Sequence, residues 1–170
     1  MPQIAPGRMT HDHDGDLVVF LIGMTINKWW RPDRWFPVLR AMPPMLRELS
    51  RDPHSGLLGY RLVFDPNGPW LVQYWSDIDR LYDYASDPTA THRPAWAAYN
   101  KAARSAKGAV GVWHETFPVD HAESIYVNSP VQGLARATGI RPVTGSMQTA
   151  RQRMARRRSG DPRDSGDSAA

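Results

Sequence analysis

Apolar positions change their spacing several times along this chain, and each change predicts an element. Leu17 to Ile26 (LVVFLIGMTI) is an unbroken β-branched and aromatic run, which predicts a strand covered on both faces and central in its sheet. Over Pro32 to Ser50, Trp35, Val38, Leu39, Met42, Met45, Leu46 and Leu49 fall at helical spacing, and Pro43-Pro44 predicts a kink or split. Asp52 to Gly56 reads as a turn. Leu57 to Phe64 and Trp70 to Trp75 are short apolar runs joined by Asp65-Pro66-Asn67-Gly68-Pro69, an antiparallel hairpin with a longer loop. Ser76 followed by Asp79 resembles a capping box, and Ile78, Leu81, Tyr82 and Ala85 stripe a short helix that Asp87-Pro88 stops. A second helical piece begins near Pro94, with Trp96, Tyr99 and Ala103 on one face and His92 one turn earlier. Gly108 to Phe117 predicts a fourth strand, whose Gly108 and Gly111 mark a bulge or a close approach to the backbone.

The order β-α-β-β-α-β is the split βαβ of the ferredoxin-like α+β class, with an antiparallel sheet and both helices on one face. The other face has no cover within the chain. A homodimer whose two sheets face each other and enclose a pocket, a dimeric α+β barrel, would cover it. Residues 1–16 read as a flexible lead-in, and 17–148 as a single domain whose last part, about 118–148, forms a lid-like extension. Residues 149–170 read as a disordered basic tail, with room for a short helix at its start.

Composition narrows the function. The 170 residues contain no Cys, which excludes disulfides, thiolate metal sites and cysteine nucleophiles. The net charge of +4 belongs to the tail: residues 151–170 hold six Arg and three Asp of the chain's 21 basic and 17 acidic residues, leaving 15 and 14 elsewhere. A nearly neutral body argues against nucleic-acid binding beyond weak tail contacts. The longest apolar run, Leu17 to Met24, is too short to span a membrane, so the expected setting is soluble and cytoplasmic. His11 and His13 alternate with Asp12, Asp14 and Asp16 and could offer metal ligands, but such a tract without a rigid scaffold reads as solvated, and no metal is assigned. There is no G-x-G-x-x-G, Walker loop, H-E-x-x-H or G-x-S-x-G, so nucleotide cofactors, protease-type zinc and a hydrolase elbow lack their signatures.

Several segments are similar to one known family. Trp30-Arg31-Pro32, Trp35-Phe36-Pro37-Val38, Ala41-Met42-Pro43-Pro44-Met45, Gly56-Leu57-Leu58-Gly59 and Val72-Gln73-Tyr74-Trp75 form the first part of the match. His92-Arg93-Pro94-Ala95-Trp96, Gly111-Val112-Trp113-His114-Glu115-Thr116 and Ile125-Tyr126-Val127-Asn128 complete it. Together they resemble the monooxygenase-like family named after a fumagillin-biosynthesis enzyme, from about residue 17 to about 136. More distantly the chain resembles the antibiotic-biosynthesis monooxygenase superfamily of dimeric α+β barrels. The resemblance implies that fold, a homodimer, and a monooxygenase-like enzyme acting on a small hydrophobic, aromatic or polyketide-like substrate. Its relatives include cofactor-free oxygenases and haem proteins, so the implied cofactor is none or haem. A haem-binding or haem-dependent enzyme, and a non-catalytic ligand-binding or interaction module, are the alternatives.

Within that frame His92, sharing a face with Trp96, reads as a base or haem ligand in the pocket, or as a helix-start histidine bonded to a carbonyl. His114 and Glu115 are adjacent on a strand and point to opposite faces, so only one can reach the pocket. Each reads as a catalytic group or as a buried structural one. Gln73 and Trp75 share a strand face as an orienting amide beside an aromatic wall, or as core. Tyr126 and Asn128 lie beyond the minimal fold, where a lid or a swapped segment could bring them to the substrate. Arg31 reads as a carboxylate binder or a helix cap.

Overall fold

The computed structural model describes residues 4–86 and 108–155, and these fall into two compact units. One unit takes the described residues of Val18–Pro118, the other those of Met1–Leu17 and Val119–Ala170. In chain order the elements are β1 (Ile4–His11), β2 (Val18–Ile26), α1 (Pro32–Arg51), β3 (Leu57–Asp65), β4 (Gly68–Trp75), α2 (Ile78–Ser86), β5 (Val110–Pro118), β6 (Tyr126–Pro130), α3 (Gly133–Thr138), β7 (Ile140–Pro142) and α4 (Ala150–Met154). The helix expected near Pro94 lies outside the described residues.

The unit Val18–Pro118 is a four-stranded antiparallel sheet in the order β3-β4-β2-β5, the ferredoxin-like arrangement. The unbroken apolar run of β2 is central: it pairs with β4 over Val18–Gly23 and with β5 over its whole length, without a register shift. The bulge allowed for at Gly108 and Gly111 is therefore absent from this ladder. Gly108 instead takes a positive φ of 74° just before the strand, a conformation open to glycine. The hairpin loop is shorter than expected, because Gly68 and Pro69 already belong to β4. Asp65 Oδ1 accepts from the backbone N–H of Asn67 at 2.7 Å and of Gly68 at 3.2 Å, closing an Asx turn around Pro66-Asn67.

Helix α1 does not split at Pro43-Pro44. Pro37, Pro43 and Pro44 all lie on its exposed side, and the helix runs unbroken through them. Helix α2 is capped one residue later than expected, by Asp77, whose Oδ1 accepts from Arg80 N at 2.8 Å. Ser76 Oγ donates to the same carboxylate at 2.8 Å. Two clusters fasten the helices to the sheet. Val18, Leu49, Trp75 and Leu81 form one; Met24, Ile26 and Val110, with Trp35, Val38 and Leu39 against them, form the other.

The second unit departs further from expectation. Residues 4–11, within the stretch that reads as a flexible lead-in, form β1, which pairs antiparallel with β6 on one side and β7 on the other. The strand is held by main-chain pairing to partners far along the chain, and its own side chains carry no apolar alternation that would announce it. Residues 149–155, where the sequence allows a short helix at the start of the disordered tail, do fold. Thr149 and Gln152 form a reciprocal capping box that starts α4. Arg153, 8% exposed, sets its guanidinium on the Glu123 carboxylate and donates to Met147 O at 2.9 Å. The stretch beyond about residue 118, which the sequence joins to the preceding sheet as a lid-like extension, is a compact unit with a sheet of its own. Among the described residues no helix is long and apolar enough to cross a membrane.

Candidate functional site

Strand alternation decides what the ferredoxin-like sheet offers to its helices. Cross-strand pairs share a face, so the register aligns Gln73, Phe20 and Thr116 in one row and Leu71, Ile22 and His114 in the next. These rows floor a cavity of about 270 Å³ roofed by Val38, Ala41, Met42 and Met45 of α1 and bordered by Leu81 and Tyr84 of α2. The cavity lies under the helices of one chain. Its walls are mostly apolar, and none of the described residues lining it carries a carboxylate, ammonium or guanidinium group.

Three polar side chains interrupt that lining from the sheet. Gln73 is buried, 6% exposed, and its Oε1 accepts from Trp75 Nε1 at 3.0 Å. Trp75 is fully buried, packed against Val18, Leu49 and Leu81, with its ring centroid 5.8 Å from that of Tyr84. The amide Nε2 of Gln73 has no hydrogen-bond partner among the described residues. His114 stands exposed at the cavity edge with its ring centroid 5.8 Å from Phe20, and neither its ring nitrogens nor Thr116 Oγ1 are hydrogen-bonded among the described residues. A neutral, mostly apolar chamber with one imidazole at its edge and amide and hydroxyl donors on its floor can bind a hydrophobic molecule, accept a proton from it and hold the oxygen that becomes negative.

The other expected site residues sit elsewhere. Glu115 is exposed on the sheet face opposite His114 and does not line the cavity. His92 and Trp96 lie outside the described residues. Arg31 forks onto Asp33, Nε to Oδ1 at 2.9 Å and Nη2 to Oδ2 at 2.8 Å, just ahead of α1. That hydrogen bond first, and the charge of the partner second, raise the Arg31 pKa; the same bond holds the Asp33 carboxyl below its ordinary value. Tyr126 and Asn128 belong to the second unit and have structural partners there. Tyr126 Oη accepts from Ala135 N at 3.2 Å in the first turn of α3. Asn128, at φ 45°, accepts on Oδ1 from Gly7 N at 2.8 Å, opposite the irregular step in β1. Phe20, Thr116, Met42 and Met45 are lining residues that the sequence does not single out as site residues. The period of two that starts at His114 leads to Thr116, and the period of Leu39, Met42 and Leu46 leads to the roof.

A small second cavity, about 40 Å³, lies in the other unit beside Thr10, His11, His13 and His121, space on the scale of one water molecule. His11 there shares a 2.8 Å hydrogen bond between Nδ1 and Ser124 Oγ. Among the described residues no group of three His, Asp or Glu side chains stands where a metal ion could be held.

Comparison with known proteins places these features in context. The model of the family described as monooxygenase af470-like matches residues 17–134. No curated protein matches. Among solved structures, SnoaB, a cofactor-independent oxygenase from Streptomyces nogalater, is 14% identical over 64% of this chain and 97% of its own, with a TM-score of 0.40. A dimeric ferredoxin-like protein of unknown function from Jannaschia sp. CCS1 is 19% identical over 61% of this chain and 99% of its own, at 0.45. Aldoxime dehydratase OxdRE, in complex with butyraldoxime, is 18% identical over 88% of this chain and 43% of its own, at 0.54. At these identities the likeness is one of fold.

Proposed function

This chain belongs to the monooxygenase af470-like family, and from that premise we propose that it oxidises a small hydrophobic, aromatic or polyketide-like molecule held between the helices and the sheet. The lining of the 270 Å³ cavity supports this reading: apolar walls without a formal charge, and a few polar side chains confined to the sheet side. His114 is the proposed base, since imidazole is the side chain suited to taking a proton near neutral pH. A methylene flanked by carbonyl or aryl groups, once deprotonated, supplies its electrons to O₂ and forms a C–O bond as a hydroperoxide. Loss of water then leaves a carbonyl. The CH₂ group becomes C=O, one oxygen atom enters the product, and the other leaves in water with the two hydrogens, so no outside reductant is needed. The apolar walls limit the access of water that would reprotonate the carbanion.

The test is oxygen uptake by the full chain with a hydroxylated naphthalene or a cyclic 1,3-diketone. Uptake well above buffer, reduced at least 10-fold in His114→Ala and abolished by the cavity-filling Leu71→Trp, is the expected result. Saturable binding without uptake would replace this reading with that of a ligand-binding module. A haemin Soret shift that vanishes in His114→Ala would replace it with a haem protein.

A further inference from the structure

We propose that Gln73 selects the ligand: its amide N–H₂ binds a carbonyl, enolate or phenolate oxygen, so the cavity takes flat keto- or hydroxyarenes oriented with that oxygen at β4. This rests on the reading above that the cavity under α1 and α2 is the binding site.

Chemistry fixes the amide's orientation. Indole Nε1 is a donor and nothing else, so the 3.0 Å contact from Trp75 requires the Gln73 oxygen on that side and turns Nε2 the other way. Trp75 is fully buried among Val18, Leu49 and Leu81 and cannot swing aside to release the amide. Gln73 is more than nine-tenths buried, lines the cavity, and has no acceptor for its two N–H bonds among the described residues. With its one acceptor already engaged, Gln73 presents donors alone. Ligands that bring an acceptor oxygen satisfy it, and ligands that bring only hydrogens leave it unpaired.

The register then orients the rest of the molecule. Gln73 and Thr116 stand on either side of Phe20, so a ligand held at Gln73 lies across the Phe20 ring. His114 is on the far strand, two ladder spacings or about 10 Å across and one pleat along. A fused ring of two or three units bridges that span. Its oxygen is then held at one end and its acidic position faces the imidazole at the other.

α-Tetralone and tetralin make a matched pair of probes, equal in shape and differing in one carbonyl oxygen. Titrated by tryptophan fluorescence into the full chain, tetralone should bind roughly 10–100-fold more tightly than tetralin, the range expected when a buried donor is satisfied or stranded. Gln73→Leu should erase the preference while leaving tetralin binding unchanged or improved. Trp75→Phe, which frees the amide to rotate, should shrink the preference without erasing it; Trp75 would then be a positioning residue. Should Gln73→Leu fail to fold, the infrared carbonyl band of tetralone bound to the unaltered chain gives the answer, moving to lower frequency if an amide donates to it. Equal affinity for the two probes in the unaltered chain, or a preference that survives Gln73→Leu, overturns the proposal and leaves the cavity reading standing. Binding of neither probe, or binding that Leu71→Trp does not block, overturns both.

Discussion

Gly23 has no room for a side chain. A Cβ there would lie 2.6 Å from Cβ of Trp70 and 2.8 Å from the Trp113 ring, whose centroids, 5.9 Å apart, meet across the central strand. The nearest atom is next to the backbone of β4 and cannot yield as the end of a flexible chain could. Gly23→Ala should therefore lower stability by about 1–3 kcal/mol, the usual cost of overpacking, read as a shifted urea midpoint at unchanged slope. Asp77 acts by a different force. Its carboxyl pKa is lowered chiefly by the hydrogen bond from Arg80 N, with the one from Ser76 adding to it, because these bonds favour the charged form. A depressed folded-state pKa means the contribution is complete above the ordinary carboxylate range and is lost as pH falls through the lower folded value. Asp77→Ala should cost about 1 kcal/mol at neutral pH, typical of a helix cap, and the gap to the unaltered chain should narrow as the solution is acidified through the carboxylate range. Asp77→Asn, which keeps a capping oxygen, should lose less and show less of that pH dependence.

At the scale of elements, what can be read from the chain is what its local pattern encodes. The strand from Val18, the α1 stripe and the hairpin are legible because apolar spacing alone distinguishes them. The alternation that puts His114 and Glu115 on opposite faces is geometry of the strand itself. The cavity's location is not legible in this way. It depends on which sheet face the helices cover and on how far Met42 and Met45 stand above Phe20, which is tertiary spacing. β1 is hidden for a related reason: Ile4 to His11 include Pro6 and Gly7 and gain their order from partners about 120 residues away. Arg31 reads as a carboxylate binder or a helix cap because its acceptor Asp33, two positions on, is as consistent with a solvated helix start as with a forked ion pair. For α4 the sequence allows only a short helix at the start of a charged tail, and not its docking. Its arginines look solvated in sequence, yet Arg153 is buried on Glu123, whose side chain is 21% exposed. Arg153→Ala would strand that carboxylate and two carbonyls, and should lower the stability read from a urea midpoint by about 1–3 kcal/mol. Arg151→Ala, exposed on the same helix, is the control and should change little.

For the whole molecule the deciding matter is what covers its remaining apolar surface. In the ferredoxin-like unit the sequence predicts a bare face opposite the helices; there Trp70, Val72, Tyr74 and Trp113 are half-buried and Phe117 is 47% exposed. A continuous exposed apolar row lies on β3, where Tyr60, Leu62 and Phe64 are 40%, 44% and 72% exposed. β3 is also an edge of its sheet, nine residues long and paired on one side only among the described residues. Long apolar edges of this kind pair with another copy unless a charge or a bulge blocks them. The irregular step in β3 lies between Leu57 and Gly59, and the stretch from Tyr60 to Phe64 is regular. Along that row no charge intervenes, since Arg61 points to the other face. Homodimer formation through β3 is the expected consequence, and sedimentation velocity at micromolar concentration should report two chains per particle. Leu62→Lys with Phe64→Lys places two charges on the exposed row without touching the cavity lining. This double variant should sediment as one chain while still binding tetralone. A dimer unaffected by the double variant would move the interface off β3, and an unaltered chain that remains single at those concentrations would remove the dimer.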